Sequence, residues 1–265
     1  MRSFATVTSK DGTDIAYERR GNGPPLVMVH GSAVDRTRWG GVVDALAERF
    51  TLFMMDRRGR GPSGDRPPYA IEREFEDVAA VLEATPAPAR VLAHSYGALC
   101  SIEAARLTER IERLALYEPP LPLPGEPSRF AAALGQRLAD ILATGDRELV
   151  VETFLREVLR MSAAEIGRLR RTSSWPVHLA TAATLPREVL AASAYRFRAK
   201  AFAAVRAPVL LLYGDKSPPY LQESTRMAAA ALAGSQVKIL RGHGHRAMIT
   251  GPKVLLEKVL PFLGG

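Results

Sequence analysis

Short runs of apolar residues alternate with longer amphipathic patterns along most of the chain. Near the N-terminus, FATVTS and TDIAYERR are joined by KDG, a combination that is typical of a β-hairpin. Six further runs are apolar almost throughout and too short for helices, as expected of strands buried on both faces of a sheet. These runs are PLVMVH (25–30), FTLFMMD (50–56), RVLAHS (90–95), RLALYE (113–118), PVLLLYG (208–214) and QVKIL (236–240).

Most neighbouring strand patterns are separated by a helical pattern. Examples are VVDALAERF, EREFEDVAAVLEA, YGALCSIEAARL and YLQESTRMAAAALA, and PKVLLEKVLPFL forms an amphipathic closing helix. Strands that alternate with helices predict an α/β fold with a mostly parallel, eight-stranded sheet flanked by helices.

One part of the chain breaks this alternation. Between RLALYE and PVLLLYG lie about 90 residues that carry several helical patterns and no convincing strand. A loop of that length without secondary structure is uncommon in a compact domain, so we expect a helical cap inserted after the sixth strand. The predicted boundaries are 1–118 and 205–265 for the core, and 119–204 for the cap.

Composition and charge exclude several classes of protein. The chain has 265 residues, 47% of them hydrophobic, which is enough for one sizeable domain with an insertion. Its 36 Lys and Arg against 28 Asp and Glu give a net charge of +8. The basic residues are scattered among acidic ones, as in IEREFED, so a nucleic-acid-binding surface is not indicated.

The remaining composition bears on location and cofactors. A single cysteine, Cys100, can form neither an intrachain disulfide nor a metal-binding cluster of cysteines. The N-terminal sequence lacks the apolar core of a signal peptide, and no run is long enough to span a membrane. We therefore expect a cytoplasmic protein that binds a small-molecule substrate, with no nucleic-acid partner, no membrane and no cofactor or metal. The oligomeric state is left open, a homodimer being one option.

The sequence VLAHSYGALCSIEAA (91–105) places a serine where a strand pattern changes to a helical one. Small residues flank Ser95 at spacing two, Ala93 before it and Gly97 after it. This is close to the nucleophile elbow G-x-S-x-G, in which a sharp turn exposes the serine oxygen above the sheet. Ser95 is therefore the candidate nucleophile.

A nucleophilic serine needs a base and two backbone donors for the oxyanion. His245, in the loop LRGHGHRAM after the last strand, is the favoured base, and His243 is the alternative. The amide of Tyr96, directly after the nucleophile, is one predicted donor. The second is assigned to Ser32 in the turn after PLVMVH, with Ala33 as the alternative.

Four motifs together resemble the α/β-hydrolase fold family: HGSAVDRTRW, DRRGRGPSGD (56–65), AHSYGA and GHGH. They occur in the order and approximate spacing of that family, from about residue 25 to 246, and DRRGRGPS fits its D-x-R-G-x-G-x-S turn. The resemblance implies an α/β-hydrolase fold, a serine nucleophile and a helical cap that forms the substrate pocket.

The acid of the triad has two candidates. In many members of the family it follows the seventh strand, but that position here holds Ser217, which cannot carry a charge. Glu118, at the end of the strand after the nucleophile strand, is the favoured acid, and Asp215 is the alternative. Acid placement after the sixth strand resembles that of haloalkane dehalogenases and of zearalenone-type lactone hydrolases, the latter with glutamate.

Trp175, Leu121 and Tyr220 are the predicted substrate contacts. The site favours a cofactor-independent serine esterase or lactonase that cleaves a small, fairly apolar molecule through an acyl-enzyme. Hydrolysis of a C–C bond in a β-diketone or ring-cleavage product, or perhydrolase activity, would use the same triad. A low-turnover ligand receptor with the same fold is a third hypothesis, because the fold alone does not fix function.

Overall fold

All eight predicted strands are present and form one sheet. The structure is a computed structural model that describes residues 3–123 and 128–265. The sheet order is β1-β2-β4-β3-β5-β6-β7-β8; β1 pairs antiparallel with β2 and β2 with β4, and all other pairs are parallel. The strands are β1 (Ser3–Thr8), β2 (Asp14–Arg20), β3 (Pro25–Val29), β4 (Thr51–Met55), β5 (Ala89–His94), β6 (Ile111–Tyr117), β7 (Val209–Gly214) and β8 (Gln236–Leu240).

Helices cover both faces of the sheet. One apolar cluster joins Val27 and Val29 of β3 to helices α2 (Ile71–Glu83), α3 (Tyr96–Ala104) and α9 (Pro219–Ala231). Because side chains alternate across a strand, their neighbours Leu26 and Met28 face the opposite cluster. That second cluster includes residues of α1 (Val43–Ala47), α10 (Ala247–Thr250) and α11 (Pro252–Gly264). Burial on both faces explains why the central strands read as continuous apolar runs. The predicted fold is confirmed.

In its described residues, the segment between β6 and β7 forms helices joined by turns and loops, with no strand. Its α-helices are α4 (Ser128–Ala143), α5 (Arg147–Glu157), α6 (Ala163–Arg170), α7 (Trp175–Ala180) and α8 (Leu185–Ala194). They share an apolar cluster of their own, which includes Leu138, Val150 and Leu185 and also Ala33 of the core. The division at 119–204 stays a prediction, and residues 124–127 lie outside the described part of the chain.

Among the residues that the structure describes, no helix combines the length and apolar character needed to span a bilayer.

Candidate active site

Ser95 sits at the sharp turn between β5 and α3. Its backbone has φ 55° and ψ −127°, a strained conformation for a residue with a side chain. A Cβ atom on Gly97 would lie 2.7 Å from the carbonyl oxygen of Val29, and one on Gly31 would lie 2.8 Å from Ser95 Cβ. Neighbouring segments therefore approach Gly97 and Gly31 so closely that a side chain would not fit at either position. The turn thus has the form that its sequence predicts.

His245 lies directly beside this serine. Its Nε2 atom is 3.0 Å from Ser95 Oγ, and its Nδ1 atom is in hydrogen-bond contact with Glu118 Oε2. All three side chains are buried, and Glu118 is completely so. The structure therefore brings Ser95, His245 and Glu118 together in one hydrogen-bonded row, whereas His243 lies away from it against Thr250 and Gly251.

Glu118 reaches the histidine because its backbone turns sharply at the end of β6. Its φ of 52° is in the left-handed region, which is uncommon for a residue other than glycine. The second carboxylate oxygen, Oε1, accepts hydrogen bonds from Gly214 N at 2.7 Å and from Ser217 Oγ at 2.5 Å. Ser217, where the acid was expected from the family pattern, thus donates a hydrogen bond to the carboxylate that follows β6.

Asp215, the alternative acid, lies elsewhere in the turn. Its Oδ1 atom accepts a hydrogen bond from Gly242 N at 2.8 Å, and its other oxygen faces Arg241 at 3.9 Å. An aspartate that accepts from a nearby backbone N–H is a common way to stabilise a turn. The structure places Glu118 and not Asp215 against His245.

Two side chains whose positioning role the sequence did not reveal hold the histidine loop. His94 Nε2 donates to the carbonyl oxygen of His245 at 2.8 Å, and their rings lie 4.4 Å apart. The Tyr117 hydroxyl donates to the carbonyl oxygen of Gly244. Burial lowers the pKa of His94 well below its usual value, so its ring is neutral. Both residues directly precede a member of the row, Ser95 or Glu118, and that adjacency is the signal that could have revealed them.

The turn that carries Ser32 and Ala33 lies against the nucleophile. Ala33 has a φ of 58°, and Gly31 is in contact distance of Ser95 as described above. Tyr96 is the first residue of α3, where backbone N–H groups have no partner within the helix. The two predicted oxyanion donors therefore belong to chain segments on either side of Ser95.

Two cavities adjoin each other near this row. A cavity of about 440 Å³ is lined by His245 and Ser217 and also by the cationic residues Arg160, Lys216 and Arg246. A larger cavity of about 860 Å³ shares Arg160 with it, together with Pro218 and Pro219. The same lining contains one carboxylate, Glu165, which lies near enough to Arg246 to interact with it electrostatically. Among the residues that the structure describes, none of the three cations forms a direct ion pair, so cations outnumber carboxylates in this lining by three to one.

The predicted substrate contacts are divided between these cavities and the cap interior. Leu121 and Tyr220 line the larger cavity, as does Leu123, and the Tyr220 hydroxyl donates to Val158 O at 3.0 Å. The Trp175 side chain is 8% exposed and packs in the cap cluster with His178. Trp175 lines neither of these two cavities, so its contact with substrate stays a prediction.

Comparisons with known proteins agree with this architecture. The model of the alpha/beta hydrolase family matches residues 26–258. The crystal structure of an alpha/beta hydrolase from Sphaerobacter thermophilus DSM 20745 is 33% identical, with a TM-score of 0.82, over 96% of this chain and 100% of that one.

Several curated relatives match most of the chain, among them one from Mycobacterium tuberculosis and one from Aeromonas hydrophila. A "Probable oxidoreductase EphD" of Mycobacterium tuberculosis is 29% identical over 97% of this chain but only 48% of its own length, so the chain spans about half of that relative. A "Pimeloyl-[acyl-carrier protein] methyl ester esterase" of Aeromonas hydrophila is 26% identical over 94% of this chain and 99% of its own. From the matched family model and the fold, the chain belongs to the alpha/beta hydrolase family.

Proposed function

We propose that this protein is a serine hydrolase that cleaves a carboxylic ester or lactone of a small molecule through an acyl-enzyme. The observation that carries the proposal is the 3.0 Å distance between Ser95 Oγ and His245 Nε2, with the Glu118 carboxylate on the opposite ring nitrogen. A serine with an oriented base is the arrangement that activates an otherwise weak nucleophile.

The reaction begins when Ser95 Oγ attacks the substrate carbonyl carbon. His245 Nε2 accepts the hydroxyl proton, and the Glu118 carboxylate stabilises the imidazolium that forms. The negative charge that develops on the carbonyl oxygen is stabilised by the amides of Tyr96 and Ser32. His245 then returns the proton to the leaving alcohol, and a water molecule cleaves the acyl-enzyme by the same steps in reverse.

The cavities indicate the character of the substrate. Leucine, proline and tyrosine side chains in the larger cavity suit an apolar acyl or alcohol group, including Leu121, Leu123 and Tyr220. The volume of about 860 Å³ lies in the range of small-molecule sites. The relative from Aeromonas is named as a methyl ester esterase, which supports an ester in preference to other bonds.

Active-site labelling tests the proposed mechanism. A fluorophosphonate should label the folded protein, and peptide mapping should place the adduct on Ser95. Absence of that adduct would contradict a serine mechanism. Turnover of p-nitrophenyl acetate by the wild type, with Ser95→Ala as the control, separates a catalyst from a receptor that merely binds ligand.

A substrate panel then identifies the bond. Esters, lactones and β-diketones should be compared in the wild type and in Ser95→Ala. We expect turnover of esters or lactones that depends on Ser95. Turnover of β-diketones alone would instead favour a C–C hydrolase on the same triad.

A further inference from the structure

A guanidinium group reaches the peptide that carries one predicted oxyanion donor. Arg57 Nη1 donates a hydrogen bond to Gly31 O at 3.2 Å. This carbonyl and the N–H of Ser32 belong to the same peptide unit, and in a planar trans peptide they point in opposite directions. A donor that fixes Gly31 O therefore fixes the direction of the Ser32 N–H.

A second donor to the same carbonyl, the His30 ring, is oriented by the backbone of Arg57 and not by its side chain. The backbone N–H of Arg57 donates to His30 Nε2 at 3.1 Å, so the ring proton of neutral His30 resides on Nδ1. That nitrogen donates to Gly31 O at 2.8 Å. Burial lowers the pKa of His30 well below its usual value, which keeps the ring neutral, and the bond from the Arg57 N–H selects this tautomer.

Arg57 also contacts the residue that carries the other predicted donor. Its guanidinium lies over the Tyr96 ring, 4.5 Å from the centroid. The Tyr96 hydroxyl is 2.9 Å from the Tyr69 hydroxyl, which donates to Glu74 at 2.9 Å. One side chain therefore touches both segments from which the oxyanion donors come.

Two buried carboxylates hold this guanidinium in place. Glu74 accepts from Arg57 Nε at 2.7 Å and from Nη2 at 2.6 Å, and Glu188 accepts from Nη2 at 2.9 Å. Glu188 also pairs with Arg60, and all four side chains are almost completely buried. The two arginines and two glutamates balance in charge, which a buried cluster requires.

One carboxylate of this cluster comes from the helical segment between β6 and β7. Glu188 belongs to α8, whereas the other three side chains come from the segment between β4 and α3. The docking of α8 and the orientation of the Gly31–Ser32 peptide therefore depend on the same ion pairs. A cation on Gly31 O also polarises the peptide, which makes the Ser32 N–H a stronger donor.

We infer that Arg57 is a positioning residue for the oxyanion hole and that Glu188, which also interacts with the Ser32 side chain, acts mainly through Arg57, linking the docking of α8 to catalysis. The inference rests on the proposed serine mechanism. It assigns Arg57 no contact with the substrate.

Replacement of Arg57 tests the inference against a matched control. Arg58 is equally buried and pairs with Asp77 through two bonds of 2.7 Å, and no described bond connects its side chain to Gly31 or Tyr96. We expect Arg57→Met to lower kcat for p-nitrophenyl acetate by about tenfold, less than the roughly 100-fold cost of losing an oxyanion donor outright, because His30 still donates to Gly31 O. KM should change by less than about threefold, because the ground state uses the hole little. Arg58→Met should retain kcat within about threefold of the wild type.

The affinity for a transition-state analogue separates a positioning role of Arg57 from a purely structural one. A trifluoromethyl ketone forms a tetrahedral adduct on Ser95 whose oxyanion needs the hole. Its affinity should fall in parallel with kcat in Arg57→Met and stay unchanged in Arg58→Met. Equal losses in both variants, or a rise in KM with unchanged kcat, would overturn the inference.

The link to α8 has its own test. Glu188→Gln keeps the shape of the side chain, and we expect a decrease in kcat of about fivefold because Glu74 still holds Arg57. In the Arg57→Met background, Glu188→Gln should lower kcat by less than about twofold, because only its interaction with the Ser32 side chain is then lost. Fully additive losses would contradict an action through Arg57.

If Arg57→Met does not fold, as melting temperature and circular dichroism would reveal, Glu74→Gln carries the test, because Glu74 holds Arg57 by two bonds. Parallel losses of kcat and analogue affinity in Glu74→Gln would support the inference, and unchanged values would overturn it.

The outcomes also separate this inference from the proposed function. If fluorophosphonate does not label Ser95 in the wild type, the proposed mechanism fails. If Ser95 is labelled and folded Arg57→Met keeps wild-type kcat, only the role of Arg57 is wrong.

Discussion

Replacement of Glu118 by glutamine is the sharpest test of the triad, because the hydrogen bonds around the carboxylate fix how the new amide is oriented. Oε1 accepts two hydrogen bonds, from Gly214 N and Ser217 Oγ. In Glu118→Gln the carbonyl oxygen must keep that position, since an NH₂ group there would face the backbone N–H of Gly214, which can only donate, whereas the Ser217 hydroxyl can rotate to donate or accept. The NH₂ group then faces His245 Nδ1.

This orientation imposes the wrong tautomer on the histidine. With an NH₂ donor against it, Nδ1 must accept, so the ring proton moves to Nε2, the atom that faces Ser95 Oγ at 3.0 Å. A protonated Nε2 cannot remove the hydroxyl proton. In serine proteases an isosteric amide that forces this tautomer lowers kcat about 10⁴-fold, equivalent to about 5.4 kcal/mol of transition-state stabilisation. We expect a loss of this order here.

The assay is hydrolysis of p-nitrophenyl acetate at neutral pH, after active-site titration of each variant. Asp215→Asn is the matched control, because its carboxylate binds a turn amide, and its kcat should stay within about threefold of the wild type. Retention of more than a tenth of kcat by Glu118→Gln, or a greater loss in Asp215→Asn, would refute the reasoning.

Three further predictions concern the free energy of unfolding, its dependence on pH, and KM. Gly97→Ala should lower the free energy of unfolding by about 2 kcal/mol because its Cβ would overlap backbone carbonyl oxygens. Burial lowers the pKa of His178 from 6.5 to about 4, so stability that is present above pH 6.5 should decrease, by roughly 3 kcal/mol, as the pH falls towards 4. Arg246→Gln should raise KM about fivefold for an ester that carries a free carboxylate, since removing one of the three cations that line the cavity beside Glu165 costs about 1 kcal/mol.

Each of these expectations has its own control. Gly167→Ala, where nothing lies within 4 Å of the added Cβ, should raise the free energy of urea unfolding by about 0.5–1 kcal/mol; an equal loss at both glycines would contradict the steric argument. The urea midpoint of His178→Phe should depend less on pH than that of the wild type. The same pH dependence in both proteins would contradict the role given to His178. For Arg246→Gln, KM for a neutral ester should change less than twofold and the effect should shrink in high salt; equal increases for both esters would argue against charge recognition.

Local sequence patterns were sufficient for much of the fold and for part of the site. Strand and helix periodicities predicted every strand, because burial on both faces of a sheet leaves continuous apolar runs. They also predicted the longer covering helices, whereas the four-residue α10 was missed. The elbow around Ser95 was equally recognisable in the sequence. Other segments of the chain approach it closely, so only small residues fit beside the serine. The position of His94 and Tyr117 under the histidine loop was not visible, because neither residue type signals a hydrogen bond to a loop about 130 to 150 residues away.

By itself the sequence determined the order of elements, the serine at its turn and the set of candidate acids. Only the tertiary structure decided which carboxylate meets His245, because that depends on the pairing of β5 with β6 and on the turn of the backbone at Glu118. It alone also joined Arg57 to Glu188, which are 131 positions apart. Periodicity and turn chemistry act over a few residues, whereas such ion pairs arise only when distant segments are folded against each other.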